Sequence, residues 1–586
     1  MDELPQLRFD TGRDKEAFMN GDMPENTNTL PSWTSYTKPP DIKGRDFLGV
    51  QNVGNRMMDA LLPGLTGATR HPRYYSFLCW AIWKTSDWGG AKTDSEKQVA
   101  LYKLENIFLY AAYLHSRGDC STGGLVGSES IARLLSVKAL RYPLSGFDPE
   151  RGVSAFNEAN YRPSINELEL VARKNEMAVP SETRGMPLAR EFENSVAPVL
   201  DLLKNIFKRN SITRNEAERL GPYLCLCRMD KFPKERKLIA QIILGEHPTV
   251  VDGDLQRRKS LLFILDALGY QKESVYPDYD IPLTAYNLRG KKKDYKAPAQ
   301  LEATVMGWAI FQHRAYLQYA IAGLWAAFLK ELEQTPGEEQ PIGRIVGIWA
   351  KAASTAGLAG KTVKRLKKQD IATVTLSELL SAMAFPKDVF STTATISSLK
   401  ELRKTHDALR MGPESELDED LIYNALYNEN YAENRPYTLA YLSVILLITA
   451  LAKWSRFVPE GTPLAEPLTQ GGQHRLSCMS LREDLVARLY MTVPEFLNFC
   501  IRKYVVDQHY IFATEKLWGE RDTFHFYQSE NGILLRSAKD GKWSSTNYIP
   551  SSLQLMHGLG LVEVDSGQSY QASPNGKKLL EAAFGK

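Results

Sequence analysis

Apolar residues recur every three or four positions along most of this chain, the spacing that lines one face of an α-helix. On that spacing helices are predicted over residues 74–83, 97–116, 128–135, 195–207, 214–220, 259–268, 300–332, 375–383, 396–410, 434–454 and 494–517. The 300–332 segment is long enough to span a domain, at about 1.5 Å of rise per residue. Two segments, 74–83 (YYSFLCWAIW) and 439–454, are so apolar that they read as buried helices. A period of two is rare. Phe524 and Phe526 alternate with polar residues, Asn531-Gly532 supplies a tight turn and Ile533-Leu534-Leu535 follows, so residues 524–537 read as a β-hairpin. Stretches rich in Gly, Pro and charge at 118–127, 273–296, 333–341 and 412–420 read as loops or boundaries.

The C-terminus has the most definite order. Residues 551–559 form a short helix with Leu553, Met556 and Leu559 inward. Residues 561–564 read as a strand, Asp565-Ser566-Gly567-Gln568 as a turn and 569–572 as the return strand. A last helix starts at Ser573-Pro574, where the missing proline N–H costs nothing. Helix, two-stranded wing, helix is the back half of a winged helix-turn-helix. The expected fold class is therefore mainly α, a multi-domain helical protein with a small C-terminal winged-helix-like α+β module. The first helix of the module offers Ser551, Ser552, Gln554 and His557 to a base edge, with no Arg or Lys. Base contact would fall to Gln554, and phosphate contact to Lys577, Lys578 or Lys542.

Length and composition set the frame. A chain of 586 residues with 43% hydrophobic and 24% charged residues is ordinary globular protein of several domains. The divisions expected are a polar arm with little structure of its own at 1–45, a helical domain at 46–285, a middle helical domain at 297–411 carrying a basic helix, and a C-terminal region at 420–586. The acidic N-terminus lacks an apolar signal core, and 439–454 is short for a bilayer span. A soluble, cytoplasmic protein without membrane contact is expected. The net charge is only +3, so any nucleic-acid contact must come from local patches.

Two such patches stand out. Lys361, Lys364, Arg365 and Lys368 share one helical face, and Lys291, Lys292 and Lys293 lie in a loop beside Tyr295. Either is a candidate for tracking phosphates. The sequence Gly357-Leu358-Ala359-Gly360-Lys361-Thr362 has the end of a phosphate-binding loop, but Thr355 stands where its first glycine must turn, and no strand feeds it. No nucleotide or other cofactor is expected. The cysteines are scattered, and only Cys225 and Cys227 are close. His71, Cys79, His115 and Cys120 fall within fifty residues but match no zinc spacing, so no metal is expected. Glu158, Glu167, Glu169, Asp252 and Asp254 lack the strand setting of a nuclease core and are assigned to the surface.

One further run draws attention. Leu61-Leu62-Pro63-Gly64 is followed by Arg70, Arg73, Tyr74, Phe77 and Trp80. The three rings fall three apart, as in a core stripe, and Arg73 is placed to pair an internal carboxylate or a phosphate. This run resembles a family of uncharacterised bacterial proteins that carry a Leu-Pro-Gly turn followed by Arg-x-Arg-Tyr-Tyr-x-Phe-x-x-Trp. His71-Pro72 stands where that family commonly has a small residue. Such proteins tend to occur in anti-phage defence gene clusters. The resemblance implies a subunit of a defence complex with other subunits as partners, and carries no chemistry to named residues. The expected function is thus a non-enzymatic subunit binding double-stranded DNA or a partner protein. The alternatives are a nuclease-type effector with a site assembled from distant residues, and a DNA-free helical scaffold.

Overall fold

A computed structural model describes residues 46–585, except 119–124, 137–138, 145–153, 158, 175–176, 272–276, 289–292, 357–365, 367–369, 384, 386–388, 391–398, 402–418, 428–434, 455–475, 519–521, 539–546 and 566–568. The protein is mainly helical, and strand is confined among these residues to four two-stranded antiparallel sheets.

The centre is the helix Glu302–Glu333, in which every residue from Thr304 to Leu329 is buried. A helix with no polar face has to be enclosed on all sides. Here the helices Pro436–Trp454, Pro277–Asn287 and Gln51–Leu61 pack along it. Pro436–Lys453 has the length and apolarity of a membrane span, yet 83% of it is buried inside the protein. Phe47 stacks on Trp325 of the central helix at 5.9 Å, and His525 meets Phe47 edge-on at 4.4 Å. Residues from near both ends of the described chain therefore share one core.

A second group of helices surrounds Phe77, Trp80, Phe108 and Phe192: Arg73–Gly89, Asp94–Gly118, Gly185–Val196, Arg214–Leu224 and Pro233–Ile243. Phe77 stacks on Phe108 at 4.2 Å, and Trp80 lies 5.2 Å from Phe192. The helix expected over 195–207 is instead broken. One helix ends at Val196, Ala197–Val199 makes a 3-10 turn, and a new helix runs Leu200–Arg209. Pro198 is the cause, because it cannot donate to the preceding turn. The hairpin Val171–Lys174 with Met177–Pro180 was not foreseen. Its first strand is mostly exposed, its second is half-buried, and neither carries a clean alternation of apolar residues. Residues 277–287, read as loop, form a helix that tolerates Pro282 and sets Tyr286 against Tyr316 of the central helix at 5.3 Å.

The Pro63-Gly64 turn is held from inside. Arg257 donates from Nη1 to Pro63 O at 3.0 Å, from Nε to Ile243 O at 2.8 Å and from Nη2 to Ile242 O at 2.9 Å. Asp254 pairs with both Arg257 and Arg184, and all three are buried. This corrects the surface assignment of Asp254, whereas Asp252 is exposed. A carboxylate flanked by two guanidinium groups can be buried because its charge is met on both sides. Burial alone would raise the Asp254 carboxyl, but hydrogen bonds from Arg184 and the Val251 amide and the charge of Arg257 outweigh it and hold it below the usual range.

The C-terminal segment is built of the helix Ile549–Gly558, the paired strands Val562–Val564 and Tyr570–Ala572, and the helix Pro574–Phe584. Ser573 caps the last helix by accepting from the Gly576 N–H, with Pro574 at its first turn. Gly576 is required by packing: a side-chain carbon there would stand 2.2 Å from Leu561 O.

Candidate functional site

The aromatic motif places its two arginines differently. Arg70 is exposed at the edge of an open groove of about 470 Å³ between Gly67, Asn160 and Tyr548. Arg73 is fully buried, as are Tyr74, Phe77 and Trp80. Its Nη1 donates to Cys225 O at 2.9 Å, and its Nε lies 3.5 Å from Glu235 Oε1. Its guanidinium carbon stands 4.4 Å from the centre of the Phe232 ring. Glu235 also accepts from Ser195 Oγ at 2.8 Å and from Ser76 Oγ. Burial lowers the Arg73 pKa from its ordinary value, and Glu235 opposes that shift. Arg73 thus pairs an internal carboxylate.

That inward Glu235 has a consequence at the surface. It is the acid of the run Lys231-Phe232-Pro233-Lys234-Glu235-Arg236-Lys237. Lys231, Lys234 and Lys237 are exposed and Arg236 is half-buried. With the carboxylate turned inside, the outer side of this run is cationic. A side-chain carbon built on Gly560 would lie 3.3 Å from Arg236 Nη1 and 4.0 Å from Asn575 Nδ2. Arg236 therefore stands at the head of the last helix, where Lys577 and Lys578 are exposed. Among the described residues, none of these six cations is in an ion pair. Sequence reasoning missed the 231–237 run because Glu235 masks its charge. The available signal was four cations in seven residues behind a helix-starting proline.

Lys361, Lys364, Arg365, Lys368, Lys291 and Lys292 lie outside the described residues, as do Lys542 and the glycine-rich 357–362 segment. Lys293 is exposed, its Nζ 4.8 Å from the Tyr270 ring centre. Tyr295 is buried and donates to Asp266 Oδ2 at 3.0 Å, so its ring is not offered to a base. Gln554 is half-buried. Ser551 and Ser552 are buried, and Ser551 Oγ donates to Gly67 O at 2.5 Å. Tyr548 OH donates to Asp59 Oδ1 at 2.9 Å. The helix expected to read bases is thus seated on the N-terminal turn, with His557 as its exposed polar side chain.

Among the described residues, one set of side chains has metal-ligand chemistry. His115 lies near the end of the Asp94–Gly118 helix, and Cys225 and Cys227 flank the junction between the Arg214–Leu224 helix and the 3-10 helix Leu226–Lys231. One donor atom from each lies within 4.8 Å of the others. Gly221 permits the approach: a side-chain carbon there would stand 2.8 Å from His115 Cβ. His115 and Cys225 are buried and Cys227 is half-buried. Comparison with protein-family models, with curated proteins and with solved structures finds no match.

Proposed function

We propose that this chain is a non-enzymatic subunit that docks on duplex DNA through the cationic surface formed by Lys231, Lys234, Arg236 and Lys237 together with Lys577 and Lys578. One observation carries this reading: Glu235 is turned inward to Arg73, which leaves unpaired cations on a helix that Arg236 joins to the C-terminal module. Such a surface attracts phosphates without reading sequence. The seating of the Ile549–Gly558 helix on the N-terminal turn also favours backbone contact over base contact, so the module would act as a docking element with winged-helix-like order. The setting, a multi-component bacterial defence system, rests on the resemblance of the Arg70–Trp80 motif.

The test is duplex binding as a function of salt. Affinity should fall steeply as salt rises, with a slope of about −0.9 for each phosphate neutralised. It should be similar for unrelated sequences. Lys231, Lys234 and Lys237 changed to Glu, and separately Lys577 and Lys578 changed to Glu, should each weaken binding and flatten the slope. Absence of binding at low salt overturns the proposal in favour of a DNA-free scaffold. Metal-dependent cleavage of the duplex would instead identify a nuclease-type effector.

A further inference from the structure

We infer that His115, Cys225 and Cys227 form a zinc site that ties the end of the Asp94–Gly118 helix to the Leu226–Lys231 turn. In tetrahedral zinc sites the Zn–S distance is about 2.3 Å and Zn–N about 2.0 Å, so neighbouring donor atoms sit about 3.5–3.8 Å apart. The three donors here lie within 4.8 Å of one another, and a closure of about 1 Å brings them to that geometry. Two thiolates and a neutral imidazole are a donor set that zinc accepts, with a fourth position left for solvent or another ligand. Cys227, the half-buried member, supplies the path to that position.

Arg73 flanks the cluster. Its Nη2 is buried with no hydrogen-bond partner, beside the backbone of Cys225. Its Nη1 bond to Cys225 O fixes the backbone of one ligand, as supporting groups around metal sites do. The charges also balance. Arg73 and Glu235 cancel, and a zinc ion with two thiolates is neutral, so the buried assembly carries no net charge. The site would brace the turn that runs directly into the cationic 231–237 segment.

The experiment uses the full chain, expressed with zinc in the medium and purified without chelator. Metal analysis should give one zinc per chain. Charging the metal-free protein with cobalt should produce a thiolate-to-cobalt charge-transfer band. Cys227→Ser and His115→Ala should each lower bound zinc by more than about tenfold and weaken the cobalt band. Cys500→Ala, at a buried cysteine of the Val493–Cys500 helix that is not part of the cluster, should keep both. Circular dichroism establishes that each variant is folded, and the half-buried Cys227 position keeps the test valid where His115→Ala does not fold. Wild-type protein that holds no zinc and gives no cobalt–thiolate band overturns the inference. So does zinc retained at full stoichiometry in folded Cys227→Ser.

Discussion

A guanidinium buried beside rings, a carboxylate and a carbonyl does several things that an ammonium does in part. Arg73 donates to Cys225 O while it faces Glu235 and the Phe232 ring, and its planar fork permits all three. Arg73→Lys should therefore destabilise the protein by about 1–3 kcal/mol in urea unfolding, through lost contacts at constant charge. Wild-type stability in that variant would show that the fork is not needed. Trp80 fills the space between Trp88 and Phe192 and donates to Glu193 Oε2 at 2.9 Å. Trp80→Ala should cost about 3–5 kcal/mol through the cavity left behind. Glu105 gives a pH signature. It is buried, accepts from Ser154 Oγ at 2.7 Å and from the Phe156 N–H at 2.9 Å, and burial pushes its carboxyl up to about 7. The folded chain keeps this proton to higher pH than the unfolded chain does. The resulting stability is complete below the unfolded pKa of about 4.3, falls as pH rises toward about 7 and then levels off. Over that window it amounts to about 4 kcal/mol. Thermal melts should fall with pH across this range, and Glu105→Gln should flatten the profile.

At the scale of elements, local chemistry decides where helices start and stop, and packing decides what they touch. Thr213, Thr375 and Thr492 each form a capping box with the glutamate three residues on. Pro198 breaks one expected helix, while Pro282 sits inside a helix where a loop was expected. The long helix expected over 494–517 runs through a π-helical stretch, Ile501–Asp507, between Val493–Cys500 and Gln508–Trp518. The last helix depends on close approach to the strand before it. Gly576→Ala would set a methyl group against Leu561 O, a backbone atom that cannot turn aside. The expected result is a loss of about 1–3 kcal/mol and faster proteolysis of the segment after Leu561, with the central helix unaffected. Equal protease resistance in the variant and the wild type would show that the helix can shift at little cost.

Across the whole molecule, buried charge marks where distant segments are locked together. Asp254 holds Arg184 and Arg257, and those arginines reach carbonyls at Leu168, Thr249, Ile242, Ile243 and Pro63. Asp254→Asn leaves two buried cations without their counter-charge and should cost about 3–5 kcal/mol. A differential-scanning melt lowered by only a degree or so would contradict this. Lys516 Nζ donates to Asp46 O at 2.6 Å, which ties the Gln508–Trp518 helix back to the first described residue.

What the sequence determined by itself is what repeats locally. The 3.6-residue period located the central helix, Asn531-Gly532 located a hairpin, and the glycine–turn–proline order after residue 550 located helix, hairpin and helix within a residue or two. These follow from backbone sterics and the burial of one face, both of which act over a few residues. Only the tertiary structure decided which charges are inside and which side chains meet. Arg73 and Cys225 are 152 positions apart, and Ser76 and Glu235 are 159. Asp254 looked like a surface acid and is buried, and Glu235 hid a cationic face until its inward turn exposed it. His115 joins the Cys225–Cys227 pair only because two helices close at Gly221. Local pattern is blind to such meetings, because the free energy that makes them comes from packing whole helices together and not from the residues on either side.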